Sequence, residues 1–134
     1  MKTNELKCTD LRIGNLLKYD DEIVMVYELY DDAISILEDS YVKVYHIDNF
    51  DPIKLTEELL LKIGFEKDGN NYSLVCGDIE VGYYIDKFKQ VLYINVCRKK
   101  RFHKNELRSY DVKYLHQLQN AYHLLTGKEL EVSL

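Results

Sequence analysis

Apolar residues follow two rhythms along this chain, one in each part. Through the first fifty positions, short runs rich in Val, Ile, Leu and Tyr occur at 11–19, 22–30, 33–37 and 41–47. β-branched and aromatic residues favour strands. The breaks between the runs are acidic and turn-like: Asp20-Asp21, Asp31-Asp32 and Glu38-Asp39-Ser40. Four strands joined by tight polar turns predict a small, strongly bent antiparallel sheet, and an SH3-like partial barrel is the natural candidate. Gly14 and Asn15 mark a bend in the first strand.

The rhythm then changes to a helical one. Thr56 is a good N-cap, and Glu57 and Glu58 put negative charge in the first turn, where the helix dipole favours it. Leu59, Leu60 and Ile63 give the apolar face. Gly64 is the stop, with Phe65 packing back on Leu60 in a Schellman arrangement. Three antiparallel strands follow at 72–76, 79–85 and 90–98. The last is apolar on both faces, with Leu92, Ile94 and Val96 on one and Val91, Tyr93 and Cys97 on the other. Such a strand is usually covered on both sides. A second helix is predicted over 111–126, ending at Gly127. Leu115, Leu118, Tyr122 and Leu125 form its apolar stripe, and His116, Gln119, Asn120 and His123 are placed on the opposite, partner-facing side. The tail 129–134 alternates and predicts an edge strand. The fold expected is α+β: an SH3-like β module at 1–52 packed on an α-β-β-β-α unit at 53–134, divided near Pro52, the only proline.

Charge sharpens this division. Residues 1–52 carry five Lys/Arg and twelve Asp/Glu, a balance of −7, whereas 53–134 carry a balance of +2. The 134 residues make about one domain, or two small modules. With 46% hydrophobic and 31% charged residues the chain can bury a core, which argues against disorder. No run approaches the ~20 apolar residues of a membrane span. The opening residues have no signal-peptide core. Cys8, Cys76 and Cys97 are too few and too scattered for a disulfide framework. The expected setting is the cytoplasm, with no membrane partner, and Cys76 and Cys97, in predicted strands, are expected to be small buried hydrophobes.

Three stretches resemble a known family. Leu11-Arg12-Ile13-Gly14-Asn15 is one. The run from Pro52 through Leu55-Thr56-Glu57-Glu58 to Gly64-Phe65-Glu66 is the second. Tyr114-Leu115-His116-Gln117-Leu118-Gln119-Asn120-Ala121-Tyr122, closing on Leu125-Thr126-Gly127, is the third. Together they are similar to a family of small uncharacterised proteins of Bacteroides-type bacteria and their phages and mobile elements. The resemblance implies an accessory gene product and carries no activity or catalytic residue.

Candidate chemistry is sparse. There is no Walker loop, no G-x-G-x-x-G after a strand, no G-x-S-x-G, no H-E-x-x-H and no C-x-x-C. His116 and His123 stand two helical turns apart, ~10 Å of rise, too far for one metal ion. No cofactor or metal is expected, and an enzyme ranks last. The densest charge feature is 98–108, with six cations, Arg98, Lys99, Lys100, Arg101, Lys104 and Arg108, against one Glu. It reads either as a phosphate-contacting loop for nucleic acid or as a connection balancing the acidic first module. Twelve tyrosines and no tryptophan suit thin cores and interfaces alike. The first functional expectation is therefore a non-catalytic protein-binding or regulatory module, with nucleic-acid binding through 98–108 as the alternative and no oligomeric state specified.

Overall fold

A computed structural model describes residues 6–77, 79–86, 88, 90–98, 101–102 and 112–133, with the backbone alone described over 91–98 and 101–102. The fold is mixed α and β. Its strands are β1 Leu16–Tyr19, β2 Glu22–Met25, β3 Glu28–Leu29, β4 Ala33–Glu38, β5 Tyr41–His46, β6 Phe50–Asp51, β7 Glu66–Asp68, β8 Asn71–Cys76, β9 Ile79–Ile85, β10 Gln90–Arg98 and β11 Arg101–Phe102. Its helices are α1 Glu57–Ile63 and α2 Leu115–Thr126. Single 3-10 turns stand at Cys8–Asp10 and Ile47–Asn49. Among the described residues, no helix is long and apolar enough to cross a membrane.

Two compact units divide the chain. The first is the chain up to Lys54 together with Tyr114–Asn120; the second is Leu55–Lys113 together with the chain from Ala121 onward. The division in sequence thus falls two residues beyond Pro52. The first unit also takes in a helical segment that the 1–52 and 53–134 scheme assigns to the other part.

In the first unit, two antiparallel sheets run in the orders β2-β1-β6 and β3-β4-β5. Both hairpins that build them turn on two residues, Asp20-Asp21 and Asp39-Ser40, all four at positive φ. That backbone is the one a two-residue turn needs to match the twist of its strands. The core gathers Cys8, Leu11, Leu17, Val26, Ile34, Ile36, Ile47 and Phe50. The strand expected over 11–19 begins only at Leu16. Before it, the chain makes a turn closed by Arg12 N–H donating to the Asn15 side chain at 2.7 Å and Asn15 N–H donating to the Arg12 carbonyl.

The second unit holds one five-stranded antiparallel sheet, β11-β10-β9-β8-β7. Thr56 Oγ1 accepts from Leu59 N–H and caps α1. Gly64 ends it at φ 115°, with Gly64 and Phe65 N–H groups both reaching the Leu60 carbonyl. Positive φ is the reason glycine stands there. The sheet has two strands more than the pattern predicts. β7, Glu66-Lys67-Asp68, is wholly polar and exposed, and β11 is only two residues long. The tail differs in the other direction: 129–133 forms no strand, although Leu130 is buried.

Candidate functional site

The sequence points to two places, and the structure bears on each differently. Of the basic segment, the backbone of Arg98 and Arg101 is described, paired across β10 and β11. Their side chains, and Lys99, Lys100, Lys104 and Arg108, lie outside the described residues.

The polar stripe of α2 needs correction. His116 and Gln119 are buried, at 4% and 3% exposure, and Asn120 and His123 are half-buried. The solvent side of the helix is marked instead by Leu124, 84% exposed. At about 100° per residue, Gln119 lies beside the Leu115–Leu118 stripe rather than opposite it, whereas His116 stands well round from it and is buried all the same. Gln119 is buried against the turn at 12–16. Gln119 Oε1 accepts from Leu16 N–H at 2.9 Å, and its Nε2 donates to the Gly14 carbonyl at 3.3 Å. Asn120 accepts from the Asn15 amide at 2.8 Å and donates to the Asp10 carbonyl at 3.1 Å. The first and third resemblance motifs are therefore joined inside the first unit by hydrogen bonds that satisfy a non-repetitive backbone. Gln119 and Asn120 are occupied in holding the fold.

His116 is different. Its ring stacks on Tyr114, centroids 5.9 Å apart, and its Nδ1 is buried with no hydrogen-bond partner among the described residues. Burial lowers its pKa to about 4, against a smaller opposing pull from Asp10.

A site that the sequence pattern does not single out lies on the β sheets of the first unit. It is a cleft of about 700 Å³ between β2 and the hairpin of β4 and β5. Its walls are Tyr19, Tyr27 and Tyr45 with Ile23, Met25 and Leu37; its rim is Asp20, Glu22, Glu38 and Asp39. Ile23, Met25, Tyr27 and Leu37 are 45%, 58%, 47% and 55% exposed, an unusual outlay of apolar surface at one spot.

The back of the cleft is rigidly built. Tyr45 packs on Tyr19 with the rings tilted by 34° and their centroids 4.6 Å apart, and both rings lie against buried Phe50. The Tyr45 hydroxyl donates to the Glu38 carboxylate at 3.2 Å. Its pKa is pushed up to about 12, chiefly by its hydrogen bond with Tyr19, then by burial and the Glu38 charge. Lys43 pairs with Glu38 at 3.0 Å, which raises the Lys43 pKa and offsets part of the rim charge.

Comparison with family models, curated proteins and solved structures finds no match. Whatever this chain does is therefore read from its own surface.

Chemically, the cleft can bind. Tyrosine faces attract cations, and a ring of carboxylates adds to that attraction. Among the described residues no group of three His, Cys, Asp or Glu side chains is arranged to hold a metal ion. Two signals for this cleft do exist in the sequence. One is the run Glu22-Ile23-Val24-Met25-Val26-Tyr27, apolar on both faces in a thin sheet; the other is the pair of acidic two-residue turns. What the sequence lacks is the information that both turns border one cavity.

Proposed function

We propose that this chain is a non-catalytic protein-binding module of an accessory, phage or mobile-element type, and that the Tyr-walled cleft of its first unit is the binding surface. The observation that carries the reading is the cluster of four exposed apolar side chains, Ile23, Met25, Tyr27 and Leu37, around a cavity backed by packed aromatic rings. Interfaces are built this way, with an aromatic and aliphatic centre and a polar rim. We further propose that the first unit is an SH3-like partial barrel. In support, the stretch 22–29 pairs first with β1 and then with β4, and a 3-10 turn precedes the closing strand β6.

Selection of a random decapeptide display library on the whole chain tests the binding role. Enrichment is expected on the native chain and is expected to vanish on Met25→Lys and on Leu37→Lys. Both positions are exposed, so the fold should tolerate the change. Equal enrichment on the native chain and both variants would place binding elsewhere, and no enrichment would remove the role.

A further inference from the structure

The cleft has a backbone wall as well as side chains. β2 is the end strand of its sheet. Tyr19 and Glu22 flank a two-residue turn and so form a hydrogen-bonded pair, as do Leu17 and Val24 two residues on. Val26 keeps the same phase, exchanging hydrogen bonds with Gly14 and Asn15. The peptide groups of Ile23 and Met25 therefore point the other way, off the open edge. Tyr27, next in that phase, donates its N–H to the Ser35 carbonyl of β4. Back from Tyr27 toward Met25 and Ile23, β2 no longer pairs with β4, and the cleft lies there, lined by Ile23 and Met25 of β2 and Leu37 of β4. On β4, Glu38 pairs with Tyr41 across a two-residue turn and Ile36 pairs with Lys43. By the same alternation, the peptide groups of Leu37 point away from β5.

An open edge with free N–H and C=O groups is a template for another strand. The rim decides which strand. Asp20, Glu22, Glu38 and Asp39 surround the opening; against these four carboxylates stand Lys43, already paired with Glu38, and Lys18, the cross-strand partner of Ile23. A second copy docking by the same edge would bring carboxylates against carboxylates. An extended segment with alternating Lys or Arg would instead lay its cations on the rim and the tyrosine faces, with its apolar side chains on Ile23, Met25 and Leu37.

We propose that the cleft takes a basic, extended peptide of a partner protein, which adds a strand to the free edge of β2 through the peptide groups of Ile23 and Met25. This rests on the binding role above and specifies its ligand class and its mode.

The probe is a synthetic decapeptide alternating Lys and Val, titrated into the whole chain and followed by NMR. Its controls are the same peptide with Glu for Lys and two versions N-methylated at alternate residues, one set at Lys and one at Val. Binding of the Lys peptide is expected, weakening at least about tenfold as salt rises from low to well above physiological strength. The Glu peptide should not bind. At least one N-methylated version should lose about tenfold or more, the worth of one to three hydrogen bonds. The Ile23 and Met25 amides should gain protection from hydrogen exchange. Met25→Lys should remove all of these effects.

Binding at the cleft with both N-methylated peptides intact and no added amide protection would overturn strand addition and leave the binding role standing. Preference for the Glu peptide would overturn the ligand class. A concentration-dependent dimer dissolved by Met25→Lys would make a second copy the occupant and overturn the proposal. If neither the Lys peptide nor the display library engages the cleft, the ligand class and the binding role fall together.

Discussion

His116 shows how much one side chain can hold in reserve. Its imidazole is neutral in the folded state because burial lowers its pKa to about 4, while in the unfolded chain the value is that of free histidine, 6.5. Above pH ~6.5 both states are neutral and the folded state loses nothing. As pH falls from 6.5 toward 4 the unfolded chain takes up a proton that the folded one refuses, and stability declines by about 3 kcal/mol. Denaturant titrations at pH 7.5, 5.5 and 4.5 should show this slope, and His116→Leu should flatten it while also removing the buried Nδ1. A native chain with the same slope as the variant would place the titration elsewhere. Gln119→Ala should cost about 1–3 kcal/mol at neutral pH, because Leu16 N–H and the Gly14 carbonyl lose a partner together. Neither effect was legible in the sequence. A polar residue beside an apolar stripe looks solvated until its partners are known, and those of Gln119 and Asn120 lie more than a hundred residues away.

Elements were far more legible, because their causes are local. The capped and glycine-stopped α1, the hairpin strands β4 and β5, and the alternating β9 all follow from residue type and spacing. β7 was hidden because none of Glu66, Lys67 and Asp68 is apolar; it exists because Gly69-Asn70 forms a tight turn that sends it alongside β8. The tail fails for the opposite reason: it alternates, yet 129–133 pairs with no described strand, and alternation alone does not make one. The two acidic hairpins give a prediction at this scale. Asp39 and Ser40 sit at φ 49° and 71°, which costs a residue with a Cβ about 1 kcal/mol. Ser40→Gly makes the turn Asp-Gly, the pairing such hairpins favour. It should raise the denaturant midpoint by an amount worth ~0.5–1 kcal/mol, with no change in the slope of the transition. A loss of stability would mean the Ser40 hydroxyl contributes more than the backbone strain costs.

For the whole molecule, the sequence conveyed the α and β mixture and the acidic β-rich beginning. It did not convey that the first unit borrows Tyr114–Asn120 from the far end of the chain. Cutting at the sequence boundary is therefore expected to fail. A fragment of residues 1–54 lacks Gln119 and Asn120, leaves Leu16 N–H and the Gly14 and Asp10 carbonyls without these partners, and should give an NMR spectrum without dispersed amides. Dispersion like that of the intact chain would mean the helical segment is dispensable. The same borrowing has a temporal side. On the ribosome the first unit is complete in sequence only after residue 120, some 66 residues after Lys54 has been added. At ~5–20 residues per second that is a wait of roughly 3–13 s. During it the open edge of β2 and the apolar residues beside it lack the hydrogen bonds that anchor the preceding turn. A nascent chain stalled short of residue 120 should thus engage general chaperones, and release them only after Gln119 and Asn120 have left the ribosome.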